Sequence, residues 1–396
     1  MNERASYILW LPSWYPNKLD AFEGDFIQRH AYAAALYNKI FALKVVGDKT
    51  GSVTKSIKTD IRKTGNLTEY LVYFKRSSSL MGKIIARYRE RKLYRTAISE
   101  LFRETGLPAG VHVHVPVRAG HVALWIRKKY QVGFVVTEHL GIYNDVVNDR
   151  YERRSWYFRS LTKTIVLRAA HFVSVSRFLG EQVNRLVANK EYSVIPNVVD
   201  TSSFFYIPAI HQPFRFIHVS NMVSLKNVEG ILDAAAGLGK TGEKFELVLV
   251  GNKDNSMVGF AKKLGIANVV FRGEIPYTKV AEEMQRSNAL ILFSNMENSP
   301  CVIAEAHCCG LPVIATDVGG IPELVTGKDG QLIKAGDINH LREAMKAMMR
   351  NYASYDRRAI SVEASARFSY DAVGRMFDEL YRRWFALVST TMESDR

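Results

Sequence analysis

Short runs of β-branched and aromatic residues alternate with longer amphipathic stretches along most of this chain. The pattern is typical of parallel strands joined by crossover helices, so it predicts an α/β fold. In the first half, the predicted strands lie near 6–11, 40–47, 69–75, 111–115, 132–137, 171–175 and 192–195, and the predicted helices near 25–37, 80–105, 117–129, 154–168 and 177–188. A second series follows, with strands near 215–219, 245–250, 268–271, 289–294 and 312–316, and helices near 226–239, 255–264, 277–287, 300–309 and 337–350.

The two series of elements predict two domains. The chain has 396 residues, which is longer than one hydrophobic core usually supports. We therefore predict two Rossmann-like doubly wound domains that face a central cleft, because ligands bind outside the carboxyl ends of such sheets. The predicted domains are 1–200 and 213–365, joined by a linker at 201–212 and followed at 366–396 by an amphipathic helix that crosses back to the first domain.

Positive charge is concentrated in the first half of the chain. The formal net charge is +15, and residues 1–200 contain 32 Lys and Arg against 17 Asp and Glu, whereas residues 201–396 contain 22 of each. Stretches 83–95 and 150–168 each interleave six bases with aromatic and aliphatic residues. This composition is typical of interfacial helices on anionic lipid and equally of solvated helix faces, and both interpretations stay open. No nucleic-acid-binding motif accompanies the charge, so nucleic acid is not an expected partner.

The sequence predicts a cytoplasmic protein, with peripheral contact to the inner face of a membrane as an option. No apolar run approaches the roughly 18 residues that a membrane-spanning helix needs, and no signal-peptide pattern follows Met1. The three cysteines, Cys301, Cys308 and Cys309, lie within nine positions and lack metal-ligand spacing. Neither a disulfide framework nor a zinc site is therefore expected.

The densest group of candidate functional residues follows the predicted strand at 289–294. A loop carries Glu297, and a helix is then predicted to have Pro300 in its first turn and Gly310 as its left-handed exit. Backbone amides at this helix start would form an anion site for a diphosphate without any side-chain charge. The residues of this predicted site are Ser299, Pro300, Cys301 and Val302. Glu305, one turn further in, could accept hydrogen bonds from two ribose hydroxyls.

From Glu297 to Glu323 the sequence resembles the retaining glycosyltransferases of family 4. Residues 297–305 match the family motif E-x7-E, and the following residues match EAxxxGxPVIAT and GGxPE almost letter for letter. A weaker resemblance in strands and loops covers most of the chain. It implies a GT-B fold with an acceptor-side first domain and a second domain that binds a nucleotide sugar. It also implies that Glu297 contacts the donor sugar and Glu305 the nucleoside ribose.

The resemblance further implies a basic pair after the first strand of the second domain. The family pattern is G-R-L-x-x-x-K-G, and Lys226 occupies the lysine position. A cation there is expected to stabilise the charge that develops on the departing diphosphate. Asn221 stands in place of the family arginine, which removes one fixed positive charge from the predicted donor site.

In the first domain, the predicted strand at 132–137 leads to a Thr-Glu-His element that also resembles the family. By that resemblance His139 lies beside the donor sugar and the reaction centre. His112 and His114 alternate with valines on their own strand, which favours packing or hydrogen bonding over chemistry. Gly24 lies in a loop after the first strand that resembles the family's glycine loop, which faces the donor phosphate and the acceptor.

The loop from Arg272 to Ile275 resembles the family segment that holds the nucleobase, largely through its backbone. The hypothesis for the reaction is a front-face displacement in which Lys226 meets the leaving group while Glu297 and His139 orient the sugar. No Asp-x-Asp pair occurs in the sequence, so no metal is expected. No cofactor is expected either, because the nucleoside-diphosphate sugar is a co-substrate. A saccharide or lipid-linked acceptor, in envelope, capsule or exopolysaccharide synthesis, fits the basic first domain.

Two other functions remain open on the sequence alone. A nucleotide-sugar epimerase of the same fold would need no acceptor, and the 297–323 segment argues against it. A catalytically inactive module that binds sugar or membrane gains some support from Asn221. A dinucleotide-dependent dehydrogenase is remote, because no G-x-G-x-x-G follows the first strand.

Overall fold

A computed structural model describes residues 7–53, 57–77, 79–208, 212–252 and 255–394. Residues 209–211 of the predicted linker lie outside the described residues, as do the first six residues of the predicted first domain and the last two of the predicted final helix.

The chain divides into two compact units. The first unit runs as far as Val175, takes in Leu179–Val198 and resumes at Tyr370 with the final helix. The second unit contains Ser176–Phe178 and Val199–Ser369. Each unit has a sheet of its own with helices on both faces.

The sheet of the first unit has eight strands in the order β3-β4-β2-β1-β5-β6-β7-β8. Its strands are β1 Ile8–Pro12, β2 Ile40–Asp48, β3 Ile57–Thr64, β4 Leu67–Lys75, β5 Gly110–His114, β6 Phe134–Glu138, β7 Phe172–Ser174 and β8 Tyr192–Val194. All neighbouring strands are parallel except β3 and β4, which pair antiparallel at the edge. The central strands β1, β5 and β6 are buried throughout because helices cover both faces of the sheet.

The sheet of the second unit has six parallel strands in the order β11-β10-β9-β12-β13-β14. Its strands are β9 Phe214–Ser220, β10 Phe245–Gly251, β11 Val269–Gly273, β12 Ala289–Leu292, β13 Val313–Thr316 and β14 Gly330–Ile333. Numbered within the unit, this is the 3-2-1-4-5-6 order of a doubly wound nucleotide-binding sheet. The first sheet has the same order around β1 and β5, with one further strand at each end.

Helices connect the strands and bury one face each. They are α1 Asp25–Ala35, α2 Leu80–Thr105, α3 Pro116–Tyr130, α4 Trp156–Arg168, α5 Arg177–Leu186, α6 Val228–Gly239, α7 Asn255–Lys263, α8 Tyr277–Gln285, α9 Cys301–Cys308, α10 Ile338–Asn351, α11 Arg357–Phe368 and α12 Tyr370–Ser394. In the first unit, α2, α3 and α4 contribute to the core on one face of the sheet, and α1 and α12 to the core on the other. None of the helices in the described part of the chain is both long and apolar enough to cross a bilayer.

The predicted fold class is confirmed, since both units are α/β with doubly wound sheets. Three elements were not predicted from the sequence, namely β3, β14 and α11. The edge strand β3 is mostly exposed and carries four charged residues, so it lacks the apolar run that marks a buried strand. Two of the helix starts that differ from the prediction lie beside the predicted site, since α6 begins at Val228 and α9 begins at Cys301. Pro300 therefore precedes the helix as its capping residue and does not lie in its first turn, whereas Gly310 has the predicted left-handed conformation, with φ of 70°.

Candidate active site

The strand order places a switch point in the second unit between β9 and β12. The sheet extends from this pair through β10 and β11 on one side and through β13 and β14 on the other. Ligands of doubly wound sheets bind outside the carboxyl ends of the strands at such a point. The loop after β9 carries Asn221 and Lys226, and the loop after β12 carries Glu297. These predicted site residues, separated by up to 76 positions, therefore lie on the two loops beside one switch point.

Lys226 and Glu297 form an ion pair across the two loops. Lys226 Nζ lies 2.5 Å from Glu297 Oε1, and Ser294 Oγ donates a hydrogen bond to the same oxygen at 2.7 Å. The Glu297 side chain is 10% exposed and that of Lys226 is 22% exposed. Because a shielded charge without a partner is unfavourable, the pair holds both groups at the switch point. The ammonium can bind a phosphate oxygen there, and the carboxylate can accept hydrogen bonds from sugar hydroxyls.

The conformation of the backbone before α6 fixes the position of Lys226. Lys226 closes a 3₁₀ turn, and its N–H donates to the carbonyl of Val223 at 2.8 Å. Asn227 then adopts a left-handed conformation with φ of 47°, and its side chain accepts a hydrogen bond from Gly230 N–H at the start of the helix. Asn and Gly are the residues that tolerate such a conformation best, so the turn is encoded locally. Asn221 lies exposed at the beginning of the same loop and supplies no charge.

The N-terminus of α9, at Cys301, lies four residues after Glu297. No acidic residue lies in its first turn, and no side-chain hydrogen bond caps it in the described part of the chain. Its first backbone N–H groups have no carbonyl partner within the helix, and the helix dipole favours negative charge at this end. Ser299, Cys301 and Val302 are half-buried at this helix start, and their role as an anion site stays a prediction. Pro300 has no N–H of its own and contributes shape only.

A glycine pair holds the Glu297 loop in place. Gly320 N–H donates to the Glu297 carbonyl at 3.1 Å. A Cβ on Gly319 would lie 1.9 Å from that same carbonyl oxygen, and a Cβ on Gly320 would lie 1.8 Å from the carbonyl oxygen of Asn298. Two backbones approach each other here more closely than any side chain permits, which explains why both positions are glycine.

Glu305 lies one turn inside α9, as expected from its spacing. It is 3% exposed, and its Oε1 accepts a hydrogen bond from the Tyr277 hydroxyl at 2.9 Å. Tyr277 is the first residue of α8 and packs on Phe204 with ring centroids 4.7 Å apart. The sequence analysis missed Tyr277 because an aromatic residue at a helix start is ordinarily a packing residue. Its hydroxyl orients the carboxylate that the sequence assigns to the ribose.

The predicted nucleobase loop precedes α8. Arg272 Nε lies 3.1 Å from Glu283 Oε1, and Glu283 also pairs with the buried Arg215 at 2.6 Å. The Arg272 side chain is thereby tied to α8, which leaves the backbone of the loop to make contacts. Ile275 packs against the core of the second unit. This arrangement fits the expectation that the loop would recognise a base through its backbone, an expectation that stays a prediction.

The first unit has its own switch point, between β1 and β5. The loop after β1 contains Gly24, whose φ of 67° is left-handed and which precedes α1 directly. A Cβ at Gly24 would lie 2.7 Å from the backbone carbon of Trp14, so glycine is required by the close approach as well as by the turn. β5 ends at His114, and His139 follows the end of the neighbouring strand β6.

His139 is held by the residue before it. Glu138 Oε1 accepts hydrogen bonds from the backbone N–H groups of His139 and Leu140 at 2.8 and 2.9 Å, and its Oε2 accepts one from the Tyr143 hydroxyl at 2.6 Å. Burial raises the pKa of Glu138 to about 7, against the lowering effect of these hydrogen bonds. The buried carboxyl thus fixes the turn that presents the half-buried His139 ring.

A cluster of histidines surrounds His139. His114 Nδ1 lies 3.4 Å from His139 Nε2, and His30 Nε2 donates to the Pro196 carbonyl at 2.9 Å. Burial lowers the pKa of His30 to about 4 and places the pKa values of His114 and His139 well below 6.5, with neighbouring histidines adding to the effect. The cluster is therefore uncharged at neutral pH. His30 was not singled out from the sequence, because a lone polar residue on an amphipathic helix carries no motif.

His112 takes the hydrogen-bonding role that the alternation with valines predicts. Its ring nitrogens lie 2.7 Å from Tyr381 Oη and from Thr137 Oγ1. Tyr381 belongs to α12 and accepts a further hydrogen bond from Trp10 Nε1 at 3.0 Å. The final helix thus completes the buried polar network behind the histidine cluster.

The cluster is also the place where the described residues could hold a metal ion. One nitrogen each from His30, His114 and His139 lies within 4.8 Å of the others. Imidazole suits zinc or other transition metals, but ligands of a tetrahedral zinc with bonds of about 2.0 Å lie about 3.3 Å apart. The rings would have to turn toward one another to bind an ion. The expectation that no metal is needed for the reaction stays a prediction.

Comparison with known proteins gives matches over both units. A family described as glycosyl transferases group 1 matches residues 201–366, and one described as glycosyltransferase family 4 matches residues 65–203. The chain is 31% identical over 178 residues to N-acetyl-alpha-D-glucosaminyl L-malate synthase of Bacillus anthracis, a match that covers 41% of this chain and 46% of that protein. It thus spans about half the length of this relative.

A longer match and a structural match cover nearly the whole chain. TuaC of Bacillus subtilis (strain 168), named provisionally as a teichuronic acid biosynthesis glycosyltransferase, is 23% identical over 389 residues, 94% of each chain. The crystal structure of Anabaena HepE (Alr3699) in complex with UDP superposes with a TM-score of 0.71 at 17% identity, covering 95% of this chain and 100% of that one. This last likeness is one of fold.

Proposed function

We propose a specific reaction for this chain, which belongs to the glycosyltransferases of group 1 and family 4 and has the GT-B fold. The reaction is transfer of a sugar from a nucleoside-diphosphate donor to a hydroxyl of a saccharide or lipid-linked acceptor, with retention of the anomeric configuration. The observation that carries this proposal is the Lys226–Glu297 pair beside the N-terminus of α9 at the switch point of the second unit. This part of the second unit brings together the cation of Lys226, the carboxylate of Glu297 and the first backbone amides of α9.

The diphosphate is proposed to bind at the N-terminus of α9. Helix N-termini bind anions through their first backbone N–H groups, so those of Cys301 and Val302 are proposed to contact the diphosphate, and Lys226 adds one positive charge. Lys226 is the only Lys or Arg in the loops 221–227 and 293–300. Because Asn221 replaces the family arginine, amides and Lys226 together must stabilise the leaving group.

The nucleoside and sugar are proposed to bind on either side of the diphosphate. Glu305, oriented by Tyr277, accepts hydrogen bonds from the ribose hydroxyls. Arg272 and Ile275 flank the backbone that meets the base. Glu297 accepts hydrogen bonds from hydroxyls of the transferred sugar. Donor binding therefore weakens the Lys226–Glu297 ion pair and frees the ammonium of Lys226 to contact the diphosphate.

The proposed chemical step is a displacement on one face of the sugar. The bond from the anomeric carbon to the diphosphate oxygen breaks while a bond forms from that carbon to the acceptor oxygen. The acceptor proton passes to the departing phosphate oxygen, so atoms and charge balance without a protein nucleophile. His139 and Glu297 orient the sugar, and the closeness of the reacting groups supplies much of the rate. His139 and Gly24, which belong to the first unit, are proposed to take part in this step.

No metal or cofactor is assigned to this step. The proposal of metal independence rests on the absence of an Asp-x-Asp pair from the sequence and on the presence of Lys226 where charge develops. A cellular role in envelope, capsule or exopolysaccharide synthesis is proposed from the name of the relative that matches over 94% of the chain. We propose a cytoplasmic location, at the inner face of a membrane that carries the acceptor.

The test is a transfer assay with product analysis. The protein is incubated with UDP- and GDP-sugars and a lipid-linked or saccharide acceptor, and the anomeric configuration of the new linkage is determined by NMR. A retained configuration is expected, and an inverted one would contradict the retaining mechanism. Epimerised donor formed without any acceptor would favour the epimerase instead.

A second arm of the test distinguishes an enzyme from an inactive binding module. Glu297→Gln keeps the size of the side chain but weakens its contacts with Lys226 and with sugar hydroxyls. Glu363→Gln is the matched control, because it makes the same change at an exposed position on α11 of the same unit. Transfer by the wild type and by Glu363→Gln, but not by Glu297→Gln, is expected. Equal turnover in all three proteins would remove Glu297 from the mechanism.

A further inference from the structure

The first turns of α2 carry large apolar residues on the side away from the core. Met81, Ile84, Ile85 and Tyr88 are 70%, 65%, 53% and 71% exposed. Their spacing of i, i+3, i+4 and i+7 places them on one face of the helix. The opposite face supplies Ala86, Tyr94, Ile98, Leu101 and Phe102 to the core of the first unit. The helix therefore has two apolar faces, and only one of them is covered by the described residues.

Basic residues surround this exposed face. Lys83, Arg87, Arg91, Lys92 and Arg95 are all exposed. The single acidic residue between Met81 and Arg95 is Glu90, and it is turned inward. Burial raises the pKa of Glu90, with Lys44 and Arg118 acting in the opposite direction. The outer face of α2 between Met81 and Arg95 therefore carries basic side chains without an acidic one.

A second exposed group lies next to α2. Trp156 and Tyr157, in the first turn of α4, are 75% and 58% exposed. Arg91 Nη2 donates to Tyr157 Oη at 3.4 Å, so the first turn of α4 lies beside α2. Arg159 and Lys163 add exposed positive charge on α4. We call the exposed residues of α2 and α4 together the basic aromatic face.

We infer that the basic aromatic face docks on an anionic phospholipid bilayer. Lysine and arginine attract anionic head groups, while aromatic and aliphatic side chains at the same level enter the boundary between head groups and acyl chains. Trp and Tyr favour this interfacial position because their rings are apolar and their N–H and O–H groups remain hydrated. Charge complementarity selects lipid over a neutral apolar partner. The inference deepens the proposed location at a membrane and rests on it, but it does not depend on the sugar transferred.

The test is flotation of the full-length protein with vesicles, without donor or acceptor. Vesicles of phosphatidylcholine alone are compared with vesicles that also contain phosphatidylglycerol at three parts in ten. Binding to the anionic vesicles only is expected, with weakening at high salt because surface charges are screened. Equal binding to both kinds of vesicle, or binding to neither, would overturn the inference. If the protein binds neither kind of vesicle, an acidic protein would be the next candidate partner of the basic aromatic face.

Two matched pairs of variants assign the binding to this face. Ile84→Ser with Ile85→Ser is compared with Ile57→Ser with Ile61→Ser, two exposed isoleucines on the edge strand β3. Arg87→Glu with Lys92→Glu is compared with Lys262→Glu with Lys263→Glu, an equal charge change on α7. The α2 variants are expected to lose at least tenfold in bound fraction and the controls less than twofold. Equal losses in test and control variants would contradict the assignment.

Activity separates this inference from the proposed reaction. The α2 variants are expected to retain transfer to a soluble saccharide acceptor and to lose transfer to an acceptor embedded in vesicles. Loss of both activities with an unchanged melting temperature would place α2 in the catalytic machinery and contradict a purely docking role. Inactivity of the wild type with normal vesicle binding would instead contradict the proposed function and leave the surface intact.

Discussion

The two switch points of this protein have the same strand order, but one is lined by charged side chains and the other by side chains that are mostly uncharged at neutral pH. The switch point of the second unit holds a Lys–Glu ion pair and a helix N-terminus without acidic residues. That of the first unit holds histidines whose pKa values are lowered by burial, beside a glutamate whose pKa is raised to about 7. One site is built to receive charge, and the other is kept close to neutral.

This difference fits the division of labour that the proposed reaction requires. A nucleoside diphosphate brings negative charge, which a cation and helix amides can meet. Sugar and acceptor hydroxyls bring no charge, and neutral imidazoles can both donate and accept hydrogen bonds to them. Two sheets with the same strand order can therefore serve different parts of one substrate pair because their loop residues differ in charge.

The largest expected effect comes from removing the cation of the charged site. We expect Lys226→Ala to lower kcat about 10²- to 10³-fold, because one donor aimed at developing charge contributes about that much. Lys279→Ala is the control, since Lys279 is an exposed lysine that pairs with Glu282 on α8. A kcat within about threefold of wild type would show that the amides alone stabilise the leaving group. Melting temperatures of both variants check that the fold is intact.

The neutral site predicts that stability depends on pH. His30 has a pKa of about 4 in the fold and 6.5 when unfolded, so between these values the unfolded chain binds the additional proton. The free energy of unfolding is therefore expected to fall as the pH drops from about 6.5 to about 4, by about 3 kcal/mol for His30 alone. Chemical denaturation at a series of pH values measures this dependence.

A variant isolates the contribution of His30 to that dependence. His30→Gln keeps a side-chain N–H near the Pro196 carbonyl but does not titrate. Its stability is expected to vary less steeply with pH than that of the wild type over the same interval. An unchanged slope would show that His30 is not buried and neutral in solution.

A smaller effect is expected at the edge of the charged site. Tyr277→Phe removes the hydroxyl that orients Glu305, and a hydrogen bond of this kind contributes about 1 kcal/mol. The Kd for UDP, measured by isothermal titration calorimetry, is therefore expected to rise about fivefold. Tyr355→Phe is the control, because its hydroxyl contacts Gln331 in the same unit. An unaltered Kd for Tyr277→Phe would argue that Glu305 does not hold the ribose.

The smallest expected effect is that of metal removal. If Lys226 and amides meet the charge of the diphosphate, transfer measured with EDTA should equal transfer measured with added Mg²⁺ or Mn²⁺. Loss of activity in EDTA that Mn²⁺ restores would contradict metal independence. Inhibition by added Zn²⁺ alone would instead point to the histidine cluster, whose nitrogens lie within 4.8 Å of one another.

The sequence was sufficient for those parts of the site that are contiguous along the chain. The segment from Glu297 to Gly310 contains a loop, a helix start and a left-handed exit, and local rules of helix geometry predict each of them. The structure moved the first residue of the helix by one position, to Cys301. The matching letters of this segment were also what suggested the family.

Elements without a strong pattern escaped prediction. β14 has four residues at the end of the second sheet, and α11 has a weakly amphipathic sequence that begins with two arginines. Arg357 nevertheless becomes buried, and its guanidinium donates to the Gly310 carbonyl at 3.0 Å. Such elements form because they pack against distant parts of the domain. A short stretch of sequence contains no information about these tertiary contacts.

The sequence by itself determined the α/β class and the doubly wound pattern, because these follow from periodicity and from local backbone preferences, and it supplied the residues of the predicted donor site. Only the tertiary structure decided that Lys226 meets Glu297, that Tyr277 orients Glu305 and that His30 joins His114 beside His139. These partners are 25 to 109 residues apart along the chain. Their meeting depends on strand order and register, which bring loops from distant segments to the same edge of a sheet.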